Sequence, residues 1–225
     1  MPASADAPFS IARYWAQGDA LSHAVAWLLL AMSLASWFFI FAKAVSSWRV
    51  ARAATGVDAF WAAPTLDDGL ALLTLADPEA VYLPLPREAA AWRAAAPTLA
   101  GAMRGDDQLT RVLRQQILRS TDRVERGLAL LASIGATAPF IGLLGTVWGI
   151  YHALGRVAGG GALQIDKVIG PVGEALIMTA FGLMVAIPAV LAYNAFNRLN
   201  RSTLAELDGF AHDLQAYFTR ERGAP

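Results

Sequence analysis

Glu174 is the only charged residue in an apolar stretch that runs from Val168 to about Phe196. An ionisable side chain inside a membrane helix costs roughly 2.5 to 3.5 kcal/mol on insertion scales and usually faces water or a partner. Desolvation disfavours the carboxylate, so this residue could exchange protons near physiological pH or simply hydrogen-bond between helices as a structural acid. Thr146 lies in the preceding apolar stretch. If the two stretches fold back about Gly160 as helices of equal rise, Thr146 comes to about the depth of Glu174. Thr179 follows five residues later, about 140° around the helix and about 7.5 Å deeper, which makes a polar track and not a single cluster. For each threonine the structural alternative is back-bonding to a carbonyl one turn earlier.

Other chemistry is hard to assemble. The chain has no cysteine, which removes disulfides, thiolate metal sites and thiol nucleophiles. His23, His152 and His212 are too scattered for a metal site, and His152 reads as an interfacial histidine. The Gly159, Gly160, Gly161 run lacks the Lys-Ser/Thr of a phosphate loop and reads as a turn. No catalytic triad or carboxylate pair can be built within one compartment, so neither an enzyme nor a cofactor is expected. Lys+Arg and Asp+Glu are equal at 18 each, so no basic excess points to nucleic acid.

The elements that must position these residues are membrane helices. Of 225 residues 56% are hydrophobic and 16% charged, and the mean hydropathy is +0.43, against roughly 25% charged in an average globular protein. Ala20 to Ala42 carries no formal charge and exceeds the ~20 apolar residues needed to cross a hydrocarbon core. Asp6 and Asp19 before it, with Trp48 and Arg49 after it, suit a retained anchor better than a cleavable signal. Phe9, Ile11, Tyr14 and Trp15 could form a short interfacial helix ahead of it. The expected division is an outer segment 1–20, membrane helix 21–42, an inner helical domain 43–126, membrane helix 127–154, an outer turn 155–167, membrane helix 168–196 and an inner helical tail 197–225. Pro139 and Pro188 are expected to kink their helices and not to end them.

Basic residues flank the inner ends: Lys43, Arg49 and Arg52 after the first span, Arg111 to Arg126 before the second, Arg198 and Arg201 after the third. The amino terminus is therefore outside and the carboxyl terminus inside. Leu109, Val112, Leu113, Ile117, Val124, Leu128 and Leu131 recur at helical spacing, so the second membrane helix is expected to begin deep on the inner side. Leu204, Leu207, Phe210, Ala211, Leu214, Tyr217 and Phe218 prolong the third in the same way. The fold class is an all-α integral membrane protein with three transmembrane helices, the second and third extending into a cytoplasmic helical bundle. Small residues at four-residue spacing let helix backbones approach in lipid: Ala138 with Gly142, Gly145 with Gly149, Ala175 with Thr179, Gly182 with Ala186. They suit packing within the chain's own helices, and their presence on more than one face also suits a ring-forming homo-oligomer.

Two stretches carry a family resemblance. Leu131 to Tyr151, LASIGATAPFIGLLGTVWGIY, and Gly170 to Val190, GPVGEALIMTAFGLMVAIPAV, closely resemble the ExbB/TolQ/MotA proton-channel family. The tail from Leu204, LAELDGFAHDL, and the turn Ile165-Asp-Lys-Val resemble its ExbB branch more than its TolQ branch, and the chain lacks the fourth span of MotA-type stators. The resemblance implies a homopentamer in the bacterial inner membrane, amino terminus periplasmic and carboxyl terminus cytoplasmic. It further implies an ExbD-like dimer in the central pore and a TonB-like partner that conveys proton-motive force to outer-membrane transport. A TolQ-like role in the Tol-Pal system is the alternative. Carried onto this sequence, it places Glu174, Thr146 and Thr179 at the family's functional polar positions, with the proton-binding aspartate on the partner.

Overall fold

The computed structural model describes residues 19–94, 105–158 and 166–223, with side chains except at 105, 106, 156–158, 166–171, 174 and 221–223. The interfacial helix expected around Phe9 to Trp15 and the glycine turn at 159–161 lie outside the described residues. Among those described, every regular element is a helix: α1 Ala20–Trp61, α2 Leu66–Ala76, α3 Pro84–Ala94, α4 Gly105–Glu125, α5 Leu128–Ala158 and α6 Asp166–Gly223. Three of these, α1, α5 and α6, are long and apolar enough to cross a membrane. Residue contacts divide the chain into two units, one comprising Met1–Ile40 and Ala129–Tyr193, the other Phe41–Leu128 and Asn194–Pro225.

The second unit has its own apolar core. Val50, Ala53 and Phe60 of α1 pack with Leu73, Leu85, Trp92, Leu109 and Leu113, and with Leu207, Phe210, Leu214 and Phe218 of α6. The apolar stripe read from the tail is thus the side of α6 turned into this core. Phe60 meets Phe210 edge to face at 5.5 Å, a favoured aromatic geometry. Local sequence closes the short helices. Thr65 caps α2 by accepting from the Asp68 N–H at 3.2 Å, and its hydroxyl donates back to Asp68 Oδ2 at 2.6 Å. Buried Asp77 accepts the N–H groups of Tyr82 and Leu83 at 2.7 and 2.8 Å, ordering the turn that leads into α3. The same turn is tied to α4, where Ser120 Oγ donates to the Val81 carbonyl at 2.9 Å and Arg123 Nη1 to that of Ala80 at 2.6 Å.

One helix outlasts its expected span, and one expected helix is divided. α1 runs past the expected span 21–42 to Trp61, because no proline intervenes before Pro64 and alanine-rich residues favour the helix. The helix expected to run unbroken from Leu109 into the second span is two helices, α4 and α5. Gly127, with φ 85°, supplies the left-handed residue that ends α4. Pro139 and Pro188, by contrast, fall inside continuous helices.

Candidate functional site

In the first unit α5 and α6 pack backbone to backbone along a glycine seam. A Cβ on Gly142 would lie 2.6 Å from the Met178 carbonyl oxygen, and one on Gly182 would lie 2.6 Å from that of Ala138. Gly149 is set against Ala175, and Gly135 against Val190. The α5 positions step by seven residues, two helical turns, so the seam stays on one face. Gly145 is the place where three helices meet, its Cβ direction pointing at Val25 of α1 and Met178 of α6. Ala138, Ala175 and Ala186 are buried. Much of the rest of α5 and α6 is bare: Phe140, Val147, Met184 and Leu191 are exposed, as expected of surfaces solvated by lipid or covered by other chains.

Thr146 and Thr179 meet on this seam. Thr146 is buried; its hydroxyl donates to the Leu143 carbonyl at 2.7 Å and accepts from Thr179 Oγ1 at 3.4 Å. Thr146 therefore does make a bond one turn back, and Thr179 adds a contact between helices. The observed register corrects the expected depth. Gly149 faces Ala175, so Thr146 is level with Thr179 and not with Glu174. Glu174 follows on the α6 backbone five residues, about 7.5 Å, nearer the turn; its side chain lies outside the described residues.

A second polar group joins α1 to α5, and sequence reading missed it. Asp19 Oδ1 caps α1 by accepting the Ser22 N–H at 2.9 Å, while Oδ2 accepts the indole N–H of Trp148 at 2.5 Å and lies 3.6 Å from His152 Nε2. Partial burial pushes the Asp19 carboxyl up, but the hydrogen bonds from Ser22 and Trp148 and the nearby His152 outweigh it and bring its pKa down to about 2. The Asp-x-x-Ser spacing before the apolar run was the local signal for the cap. Nothing local signals the link to Trp148, 129 residues away.

The profile of the MotA/TolQ/ExbB proton channel family matches residues 90–209. The chain belongs to this family. It is 42% identical over 207 residues to the biopolymer transport protein ExbB of Xanthomonas campestris pv. campestris (strain B100), covering 87% of this chain and 82% of that protein. To the ExbB of Neisseria meningitidis serogroup A it is 38% identical over 211 residues, 91% of this chain and 95% of the relative. The Tol-Pal system protein TolQ of Pseudomonas aeruginosa is also 38% identical, over 113 residues, half of this chain. Membership makes the chain a membrane protein of a proton-channel family, not of a known enzyme family. The matched region takes in all of α4 and α5 and most of α6, and with them the glycine seam and the threonine pair.

Proposed function

We propose that this chain is the ExbB-type subunit of an inner-membrane motor that uses proton-motive force, with ExbD-like and TonB-like partners, to energise outer-membrane transport. In this reading five copies form a ring, α5 and α6 line its pore, and an ExbD-like dimer occupies it. The amino terminus is periplasmic and the carboxyl terminus cytoplasmic. The membrane segments are 21–42, 127–154 and 168–196, with the cytoplasmic helical domain at 43–126 and the tail at 197–225. Glu174, Thr146 and Thr179 supply the polar lining, while the proton-binding carboxylate belongs to the partner.

The observation that carries the reading is the threonine pair: two hydroxyls in contact at 3.4 Å across the glycine-packed seam of α5 and α6, Thr179 lying on the helix that also carries Glu174. Such a pair is a site where a protonatable partner group can be received. Neutralising a carboxylate in an apolar pore removes a large desolvation cost, which frees the partner to move relative to the ring. Similarity over most of the chain to ExbB-named relatives favours that branch, and the half-length match to TolQ keeps a Tol-Pal role as the second reading.

The test is energy-dependent uptake through an outer-membrane transporter in cells carrying Glu174→Ala or Thr146→Ala. Both variants should assemble normally, as judged by intact-complex mass, and lose uptake. Unchanged uptake would make the chain a passive scaffold. Co-purification with neighbouring single-span proteins separates the two branches, since a TolQ-type chain would bring down Tol-Pal partners.

A further inference from the structure

Lys43 is the first charged residue after the apolar run of α1, yet it is only 8% exposed. Its ammonium donates to the Val124 carbonyl, which also accepts Asn200 Nδ2 at 2.7 Å. This carbonyl belongs to the last turn of α4, where the break at Gly127 removes the usual helical donor. Among the described residues Lys43 forms no ion pair. An ammonium has three donors, and the Val124 carbonyl takes one of them. Glu79 and Glu125 act on Lys43 only electrostatically, and the one neutral carbonyl leaves its remaining donors able to take a charged or strongly polar acceptor.

Space for one lies beside it. A cavity of about 140 Å³ is lined by Lys43, Ser46, Ser47, Asn200, Ser202, Thr203 and Glu206, with Leu199 among its apolar walls. Ser47 Oγ is buried there without a hydrogen-bond partner. At about 30 Å³ per water the volume holds a few waters or one tetrahedral oxyanion. We propose that this cavity binds a phosphate group, that of a phospholipid headgroup, with Lys43 supplying the charge and the serine and threonine hydroxyls donating to its oxygens. Its depth favours lipid over a free ion. The uncharged run of α1 ends at Ala42, and five residues beyond Lys43 the exposed Trp48 stacks with Arg52, whose guanidinium carbon lies 4.0 Å from the ring centroid. An exposed tryptophan with a basic neighbour is an anchor at headgroup level. Leu199, 51% exposed, offers apolar surface for an acyl chain. Glu206, whose Oε2 accepts the Tyr82 hydroxyl at 2.7 Å, would repel a bare anion and suits a headgroup that carries an amine beside its phosphate.

The test uses the full chain in nanodiscs of phosphatidylethanolamine and phosphatidylglycerol, extracted into detergent and weighed by native mass spectrometry, with inorganic phosphate titrated by calorimetry in parallel. Wild type should retain phospholipid through delipidation. Lys43→Met and Ser47→Val, the latter filling the cavity while leaving the Lys43 bond to Val124 intact, should each retain about tenfold less, the effect of losing a charge-assisted contact. If Lys43→Met does not fold, Ser47→Val carries the comparison. Saturable inorganic phosphate binding, lost in the variants and with no lipid retained, would keep the phosphate site and assign it to a soluble ion. Retention equal to wild type in the folded variants, or neither lipid nor phosphate bound by wild type, would overturn it.

Discussion

Asp19 holds together the start of α1 and the later turns of α5 through one carboxylate. Because its folded-state pKa of about 2 lies below its ordinary value of 3.8, its contribution is complete above the ordinary value and is lost as pH falls through about 2. Thermal unfolding of the solubilised protein should therefore show Asp19→Asn less stable than wild type by a constant margin at about pH 5 to 8, shrinking as both approach pH 2. Tyr82 has the opposite sign. Burial, then the hydrogen bond and charge of Glu206, push its phenol well above its ordinary value of 10.0. The stabilisation is full below that value and fades as pH rises toward the raised one. Tyr82→Phe should cost about 1 kcal/mol in chemical unfolding at neutral pH, and the ultraviolet tyrosinate titration of wild type should show one phenol resistant to alkali. Thr146 and Thr179 stood out as hydroxyls in apolar runs, but their mutual contact depended on a hairpin register that a five-residue shift redefines. Lys43 and Asp19 are legible as charges flanking the first span, but their contacts, like that of Asn200, have no local signal because the partners are 81, 129 and 76 residues away.

At the scale of elements, the small residues of α5 and α6 were legible from their spacing, and the structure shows what the spacing achieves. Gly142 and Gly182 each face a backbone carbonyl on the opposite helix, so no side-chain adjustment can make room. Gly142→Val should separate α5 from α6 and destabilise the protein by about 1 to 3 kcal/mol, the usual range for overpacking. Gly155→Ala, at a position with nothing within 4 Å, should be neutral or slightly stabilising. Chemical denaturation of both variants in the same detergent makes the comparison. The helix break at Gly127 was concealed by apolar periodicity, which continues through Val124, Leu128 and Leu131 on both sides of it. Periodicity reports which face is buried; it does not report one residue with positive φ. α1 outlasts its apolar run, since the end of such a run marks a change of solvent and not the end of a helix.

For the molecule as a whole, composition and three long apolar runs were enough to mark an all-helical membrane protein, and the two motif stretches were enough to mark its family. Helix faces such as those bearing Phe140, Val147 and Met184 are bare in the single chain. If those faces pack against other copies in a ring, intact-complex mass should correspond to five chains plus partner subunits. In the proposed function the polar positions of α5 and α6 let protons pass when the partner is in place. This is tested most directly by proton flux into liposomes that contain the purified complex, driven by an imposed pH gradient and potential. Wild type should conduct, and Glu174→Ala and Thr146→Ala should each reduce the flux to that of empty liposomes with the assembly intact. Wild-type flux in both variants would contradict the assignment of these residues to the proton path.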